Sequence, residues 1–307
     1  MCPPVVVPSD SEPRGPSLPG ILSRPSIGLT ILHDHPNATI DIFVTHGLNG
    51  DPFDTFYHAG RDVYWLRDFL KDDFPTARIM VFGYDVDICR LWNQVSQGCI
   101  SGYAADLLGS LSGCRKNEQT RMRPLLFIAH SLGGLVVQQA LVAARESRIE
   151  YIREIETHTM GICFLGTPHR GANLATWAER FTRMFNIFRP ANHQIVSLLK
   201  RQSRALHEMR RSFYNILERR KDEGCRIHIV CFYETIPMVR SLIVSEESAT
   251  IDGELCFPIL ANHVDMARFA SREDCGYQAL VRELQNMISG PRTSHLCPGC
   301  RQHWRSN

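Results

Sequence analysis

Ser131 lies in Leu125-Leu126-Phe127-Ile128-Ala129-His130-Ser131-Leu132-Gly133-Gly134-Leu135-Val136-Val137, where an apolar run passes through a serine into a helical pattern. A hydroxyl in that position has the setting of a nucleophile elbow. The serine occupies a sharp, strained strand-to-helix turn and its Oγ stands free at the carboxyl end of a sheet. Such a turn needs small residues two positions either side, here Ala129 and Gly133, because the strand and helix backbones nearly touch. The pattern is Ala-x-Ser-x-Gly, one methyl away from Gly-x-Ser-x-Gly. The chemistry it points to is nucleophilic attack on a carbonyl. The alternative is a serine that only caps the helix.

A serine nucleophile needs a base, and the base needs an orienting carboxylate. After an elbow of this kind the chain order is serine, acid, histidine. Among thirteen histidines, His263 alone follows the last apolar strand and precedes a terminal helix; His295 and His303 fall in the tail. His130 adjoins the nucleophile, but an elbow turns neighbouring side chains elsewhere. The acid is expected past a strand that follows the elbow. Gly166-Thr167-Pro168-His169-Arg170-Gly171 offers no carboxylate, whereas Cys231-Phe232-Tyr233-Glu234-Thr235 offers Glu234, with Glu247 and Asp252 as fallbacks. Acyl transfer also needs donors for the developing oxyanion, each worth about 100- to 1000-fold in rate. The backbone N–H of Leu132 is one. The N–H of Leu48 is the second, in a glycine-bounded loop after the early strand Ile42–Thr45.

Two further patterns carry weaker chemistry. Trp177, Phe181, Met184, Phe185 and Phe188 form an apolar face with Arg180, Arg183 and Arg189 between, either a lid touching acyl chains or a core-facing helix. In the next helix Leu199, Leu206, Met209, Phe213 and Leu217 share one face, with Arg210, Arg211, Arg219, Arg220 and Lys221 largely on the other. A solvated basic face is the ordinary reading; attraction to anionic lipid headgroups, a peripheral membrane contact through residues 174–221, is the other. His295, Cys297, Cys300 and His303 are metal-capable, but a single Cys-x2-Cys pair falls short of a zinc site, so no metal or organic cofactor is expected.

The elements that must position these groups follow from hydrophobic periodicity. Short apolar runs at Gly28–His33, Ile40–Thr45, Arg78–Tyr84, Leu125–Ala129, Met160–Leu165, Ile227–Tyr233 and Cys256–Leu260 read as strands, most of them buried on both faces. Helical patterns between them cover Tyr64–Asp72, Tyr103–Leu111, Leu132–Arg145, Leu174–Phe188, Leu199–Arg220 and Tyr277–Met287. This alternation predicts an α/β protein with a mostly parallel, doubly wound sheet and a helical, lid-like insertion between residues 172 and 224. Residues 1–26 hold seven of the seventeen prolines and read as a flexible arm, residues 27–290 as one domain, and residues 291–307 as a polar tail.

Composition narrows the class. The 34 basic residues against 32 acidic ones give a net charge of +2, which argues against a nucleic-acid binder. Eleven cysteines, most in apolar runs, read as free thiols of a reducing, intracellular compartment. The N-terminus lacks a secretory pattern, and no apolar stretch reaches the length of a membrane span. There is no Gly-Lys dipeptide and no Gly-x-Gly-x-x-Gly, so nucleotide binding is unsupported.

Seven ordered motifs carry a resemblance: His46-Gly47-Leu48-Asn49-Gly50, Trp65-Leu66, Phe82-Gly83-Tyr84, His130–Gly134, Phe164–Gly171, Phe232–Thr235 and Ser248-Ala249. Over residues 28–288 the chain resembles the α/β-hydrolase domain of the serine-active-site-containing protein family. That family is related to the lipase-like domain of GPI-inositol deacylases, and the chain is most similar to the version at the N-terminus of fungal NOD-like receptor proteins. The resemblance implies a lipase-like serine esterase acting on lipid or other acyl esters, with association to mitochondria or the endoplasmic reticulum. It also supports the position of Glu234. With no P-loop before Asn307, the chain reads as a free-standing hydrolase or as a truncated product. The competing expectation is a catalytically silent module that keeps the fold for partner binding.

Overall fold

The computed structural model of the protein describes residues 27–47, 50–84, 98–170, 193–238 and 241–289. Its strands are β1 (Gly28–His33), β2 (Ile40–Thr45), β3 (Tyr57–His58), β4 (Val63–Tyr64), β5 (Ala77–Gly83), β6 (Leu125–His130), β7 (Thr159–Leu165), β8 (His228–Glu234) and β9 (Leu255–Ile259). Seven of them form one sheet in the order β1-β5-β2-β6-β7-β8-β9, while β3 and β4 pair as a small separate ribbon. All neighbours in the large sheet are parallel except β1, which runs antiparallel to β5. The sheet is that of an α/β-hydrolase. The reversal at β1 has a simple cause: only residues 34–39 join it to β2, and a parallel connection needs a dozen or more residues.

Strands β2, β5, β6 and β7 are buried along their whole length, as continuous apolar runs require. Alternate residues feed two cores. Phe43, Phe82, Phe127, Ile162 and Phe164 meet the helices Gly98–Cys114 and Leu132–Glu146 on one face. Val44, Val81, Ile128, Cys163 and Phe232 meet Trp65, Leu66 and the last helix, Cys275–Ser289, on the other. A further helix, at Glu150–Thr157, is not among those expected from the sequence; it spans only two turns. The region Tyr64–Asp72 divides into two single-turn helices, Trp65–Asp68 and Leu70–Asp73.

The aromatic face between Trp177 and Phe188 lies outside the described residues, as do residues 1–26 and the cluster His295, Cys297, Cys300 and His303. The long helix His193–Asp222 buries Leu206, Met209, Phe213, Ile216 and Leu217. Its basic residues do not make one solvated face. Arg220 is buried, donating from Nη1 to Glu156 Oε1 at 3.1 Å and from Nε to the Cys225 carbonyl at 2.9 Å. Arg210 turns inward and donates from Nη2 to the Pro168 carbonyl at 2.9 Å.

At the amino ends of the central strands, Asp41 of β2 is fully buried and holds three arginines. Arg78 of β5 pairs bidentately, with Nε at 3.0 Å and Nη2 at 2.7 Å; Arg123 Nη1 stands at 2.9 Å and Arg115 Nη1 at 2.5 Å. Arg115 and Arg78 spend other N–H groups on the carbonyls of Arg121, Arg123 and Cys114. One carboxylate thus locks β2, β5 and the entry to β6 from the end opposite the elbow. Removing it strands three desolvated cations. Asp41→Asn is expected to lose about 3–5 kcal/mol of stability, read as a shift of the denaturation midpoint; a shift below 1 kcal/mol contradicts the clamp.

Candidate active site

The elbow forms where β6 runs into the helix Leu132–Glu146. Ser131 takes φ 54° and ψ −124°, a strained conformation for a residue with a side chain. Its Oγ makes no capping bond to the helix, so the hydroxyl is left for other work. The need for glycine at position 133 comes from across the sheet rather than from the β6 strand itself. A Cβ there would stand 2.3 Å from the His46 carbonyl oxygen and 3.0 Å from Thr45 Cγ2 at the end of β2. Gly47 is equally constrained: its Cβ would lie 2.6 Å from that of Ser131, so this loop passes directly over the serine. Leu48 and Asn49 lie outside the described residues.

Ser131, His263 and Glu234 meet at the carboxyl end of the sheet, and all three are fully buried. His263 Nε2 stands 2.9 Å from Ser131 Oγ, and its Nδ1 is 3.3 Å from Glu234 Oε1. Glu234 is the last residue of β8, and its Oε1 also accepts the Val244 N–H at 2.6 Å. The two fallback carboxylates are elsewhere. Glu247 is exposed, and Asp252 is 86% exposed and paired with Arg170. Leu132 opens the helix, so its N–H has no acceptor one turn back and remains available beside the serine.

His263 sits in the turn between β9 and the 3-10 helix Asp265–Ala267. Asn262 Oδ1 accepts from the N–H groups of Val264 and Asp265, each at 3.0 Å, which shapes the turn. Trp65 Nε1 donates to the Ala267 carbonyl at 2.8 Å, and its indole packs edge-on against Phe269 and Tyr277. The Trp65-Leu66 pair therefore anchors the segment that carries His263.

Three more histidines surround this group. His46 donates Nδ1–H to the Gly47 carbonyl at 2.8 Å, while its Nε2 accepts the Tyr84 N–H at 3.1 Å. Its ring stacks on Tyr84, whose hydroxyl donates to the His46 carbonyl. His169 Nδ1 accepts from Gln138 of the elbow helix at 2.9 Å, and the backbone N–H groups of His169 and Arg170 both donate to the Ser248 carbonyl. His130 does not take the base position, but its ring does reach the site, 5.2 Å from that of His263. Burial pushes His46 down to about 4 and both His130 and His169 to about 3, so all three are neutral. Periodicity could not single them out, since each acts through a contact between segments distant in sequence. Among the described residues no group of three His, Cys, Asp or Glu side chains is placed to hold a metal ion.

Residues 39–210, more than half of the chain, match the family model described as "Putative serine esterase (DUF676)". Protein SERAC1 of Danio rerio is 25% identical over 295 residues, covering 86% of this chain and 42% of that protein. Protein SERAC1 of Homo sapiens is 26% identical over 293 residues, covering 84% and 42%. The chain thus spans less than half the length of these relatives. Among solved structures, a lipase-esterase related protein from Clostridium acetobutylicum aligns at 10% identity and TM-score 0.45, covering 86% of this chain and all of that one. YbtT, a type II thioesterase of the yersiniabactin pathway, aligns at 15% identity and TM-score 0.44, covering 85% and 99%. The elbow, the strand order and the family match lead to one assignment: the chain belongs to the DUF676 serine esterase family.

Proposed function

We propose that the protein hydrolyses carboxylic esters through a Ser131–His263–Glu234 triad and an acyl-serine intermediate. The observation that carries this reading is the continuous line from Ser131 Oγ to His263 Nε2 at 2.9 Å and from His263 Nδ1 to Glu234 Oε1 at 3.3 Å. Ser131 Oγ attacks the ester carbonyl carbon as its proton passes to His263 Nε2. Glu234 keeps the ring in the tautomer that accepts there and stabilises the imidazolium that forms. The oxyanion is assigned to the N–H of Leu132, and the second donor expected from the sequence is that of Leu48, which lies outside the described residues. Collapse expels the alcohol, which takes the proton from His263. Water then attacks the acyl-serine with the same base, releasing the acid and restoring the Ser131 hydroxyl.

The preferred acyl groups are apolar, in keeping with a lipid-like ester. Ile236 is 42% and Leu260 84% exposed, and they flank the carboxyl ends of β8 and β9, where Ile236 N–H bonds the Ala261 carbonyl. An apolar acyl group would meet no charged side chain at these two positions.

A fluorophosphonate probe tests the serine. Wild type is expected to label, Ser131→Ala not at all, and His263→Ala and Glu234→Gln on the order of 100-fold more slowly or worse. A folded wild type that stays unlabelled overturns the proposal.

Acid sets a separate limit. His46, His130, His158 and His169 are held neutral by burial, at about 4, 3, 4 and 3 against an ordinary 6.5. The unfolded chain takes up these protons as pH falls below about 6.5, while the folded chain does so only near 3–4. Stability is therefore complete above pH 6.5 and falls with acidification, by up to about 1.4 kcal/mol per pH unit for each histidine. Thermal midpoints are expected to drop steadily from pH 7 to pH 5; a level or rising midpoint contradicts the neutral assignment.

A further inference from the structure

We propose that His130, the residue before the nucleophile, is a positioning residue that pins the base in register with Ser131. The inference rests on the triad reading above.

The strand order makes such a pin necessary. His263 follows β9, yet it must serve a serine at the end of β6. In the order β6-β7-β8-β9 those strands are three spacings apart, about 14 Å at ~4.8 Å per strand. The turn after β9 therefore crosses the ends of β8 and β7 before it reaches Ser131. Glu234 holds the middle of this span from β8, and Trp65 holds the Ala267 carbonyl beyond the base. The far end needs an anchor on β6 itself.

His130 supplies it. On β6 it shares a face with Leu126 and Ile128, the face covered by Met266, Ala267 and Phe269 of the base-bearing segment. Its Nε2 lies 2.9 Å from the backbone carbonyl oxygen of His263. That oxygen can only accept, so Nε2 carries the proton and donates. Its Nδ1 has no hydrogen-bond partner among the described residues, so the ring's one polar contact there is to the main chain of the base. The nucleophile and its base are thus tied through adjacent residues: Ser131 touches the His263 side chain and His130 touches the His263 backbone. A slip of that backbone would move Nε2 away from Oγ.

The same site forbids charge on His130. When His263 becomes imidazolium, a second cation 5.2 Å away would oppose it. The charged or titratable groups facing His130 are His263, His46 and Arg268, whose charges all oppose its protonation, outweighing the hydrogen bond to the His263 carbonyl that favours it. Burial adds to them, so the ring donates its hydrogen bond as a neutral group while the base cycles.

Three variants test this in the intact chain: His130→Leu, which removes the donor; His130→Gln, whose amide reaches the Nε2 position; and His130→Asn, one methylene shorter. Turnover of p-nitrophenyl butyrate is measured with circular dichroism and thermal midpoints on each protein. His130→Leu and His130→Asn are expected to lose about 10- to 100-fold in kcat with KM within about threefold, since a small misplacement of a reacting group costs that much. His130→Gln is expected to stay within about threefold of wild type in kcat. The inference is overturned if folded His130→Leu keeps wild-type kcat, if the loss falls on KM alone, or if Gln is no better than Asn. The Gln and Asn pair decides the matter should Leu not fold. A wild type inactive toward both ester and fluorophosphonate instead overturns the triad reading and takes this inference with it. An active wild type that loses turnover in Ser131→Ala while His130 is indifferent to substitution overturns only the inference.

Discussion

Ser131 sits at a backbone angle that an ordinary side-chain-bearing residue avoids, and much of the site exists to keep it there. A residue held in such a region costs on the order of 1–3 kcal/mol and persists only when its surroundings over-determine it. Here the surroundings are specific. The Ser131 N–H donates to the Leu165 carbonyl of β7 at 2.8 Å, and its carbonyl accepts the Gly134 N–H at 3.1 Å. Gly133 lets the His46 carbonyl press against the helix start, and Gly47 lets the loop after β2 cross above the serine. The strained turn is wedged between three parallel strands, so its geometry is inherited from sheet packing.

That packing is held from both ends. At the amino end the Asp41 carboxylate gathers Arg78, Arg115 and Arg123, fixing the strands that deliver His46, Gly47 and Ser131 to the opposite edge. At the carboxyl end, neutral histidines take over. Imidazole suits this task because it offers one donor and one acceptor at fixed separation without a charge to desolvate. His46 uses both nitrogens to join Gly47 to Tyr84, and the His169 ring joins Gln138 of the elbow helix, at Nδ1, to Cys231 Sγ of β8, 3.8 Å from Nε2. His263 differs from them in standing between a carboxylate and a serine hydroxyl.

The strands were legible because buried parallel strands leave continuous apolar runs, and all seven runs are strands of the sheet within a residue or two at each end. The antiparallel direction of β1 was not, since direction is encoded in connection length rather than in the run itself. Ser131 stood out through local pattern, and His263 through its place after the last strand. Glu234 emerged from position among three carboxylates, of which Glu247 and Asp252 are exposed and Glu234 is buried. The basic pattern of the long helix misled, because charge suggests an outer face whereas Arg220 falls seven residues after Phe213, on the buried face, where Glu156 pairs with it. His130 was passed over for a related reason: its partner is a backbone carbonyl 133 residues away, and no spacing rule reports that.

The central claim is that Ser131 carries the acyl group during turnover. Acid quenching of wild type during steady turnover of p-nitrophenyl butyrate, followed by intact mass and peptide mapping, addresses it directly. The account predicts a butyryl adduct confined to the peptide that holds Ser131, and none in the Ser131→Ala protein. Ester consumption with no adduct on that peptide, or with acyl groups scattered over other residues, would contradict it.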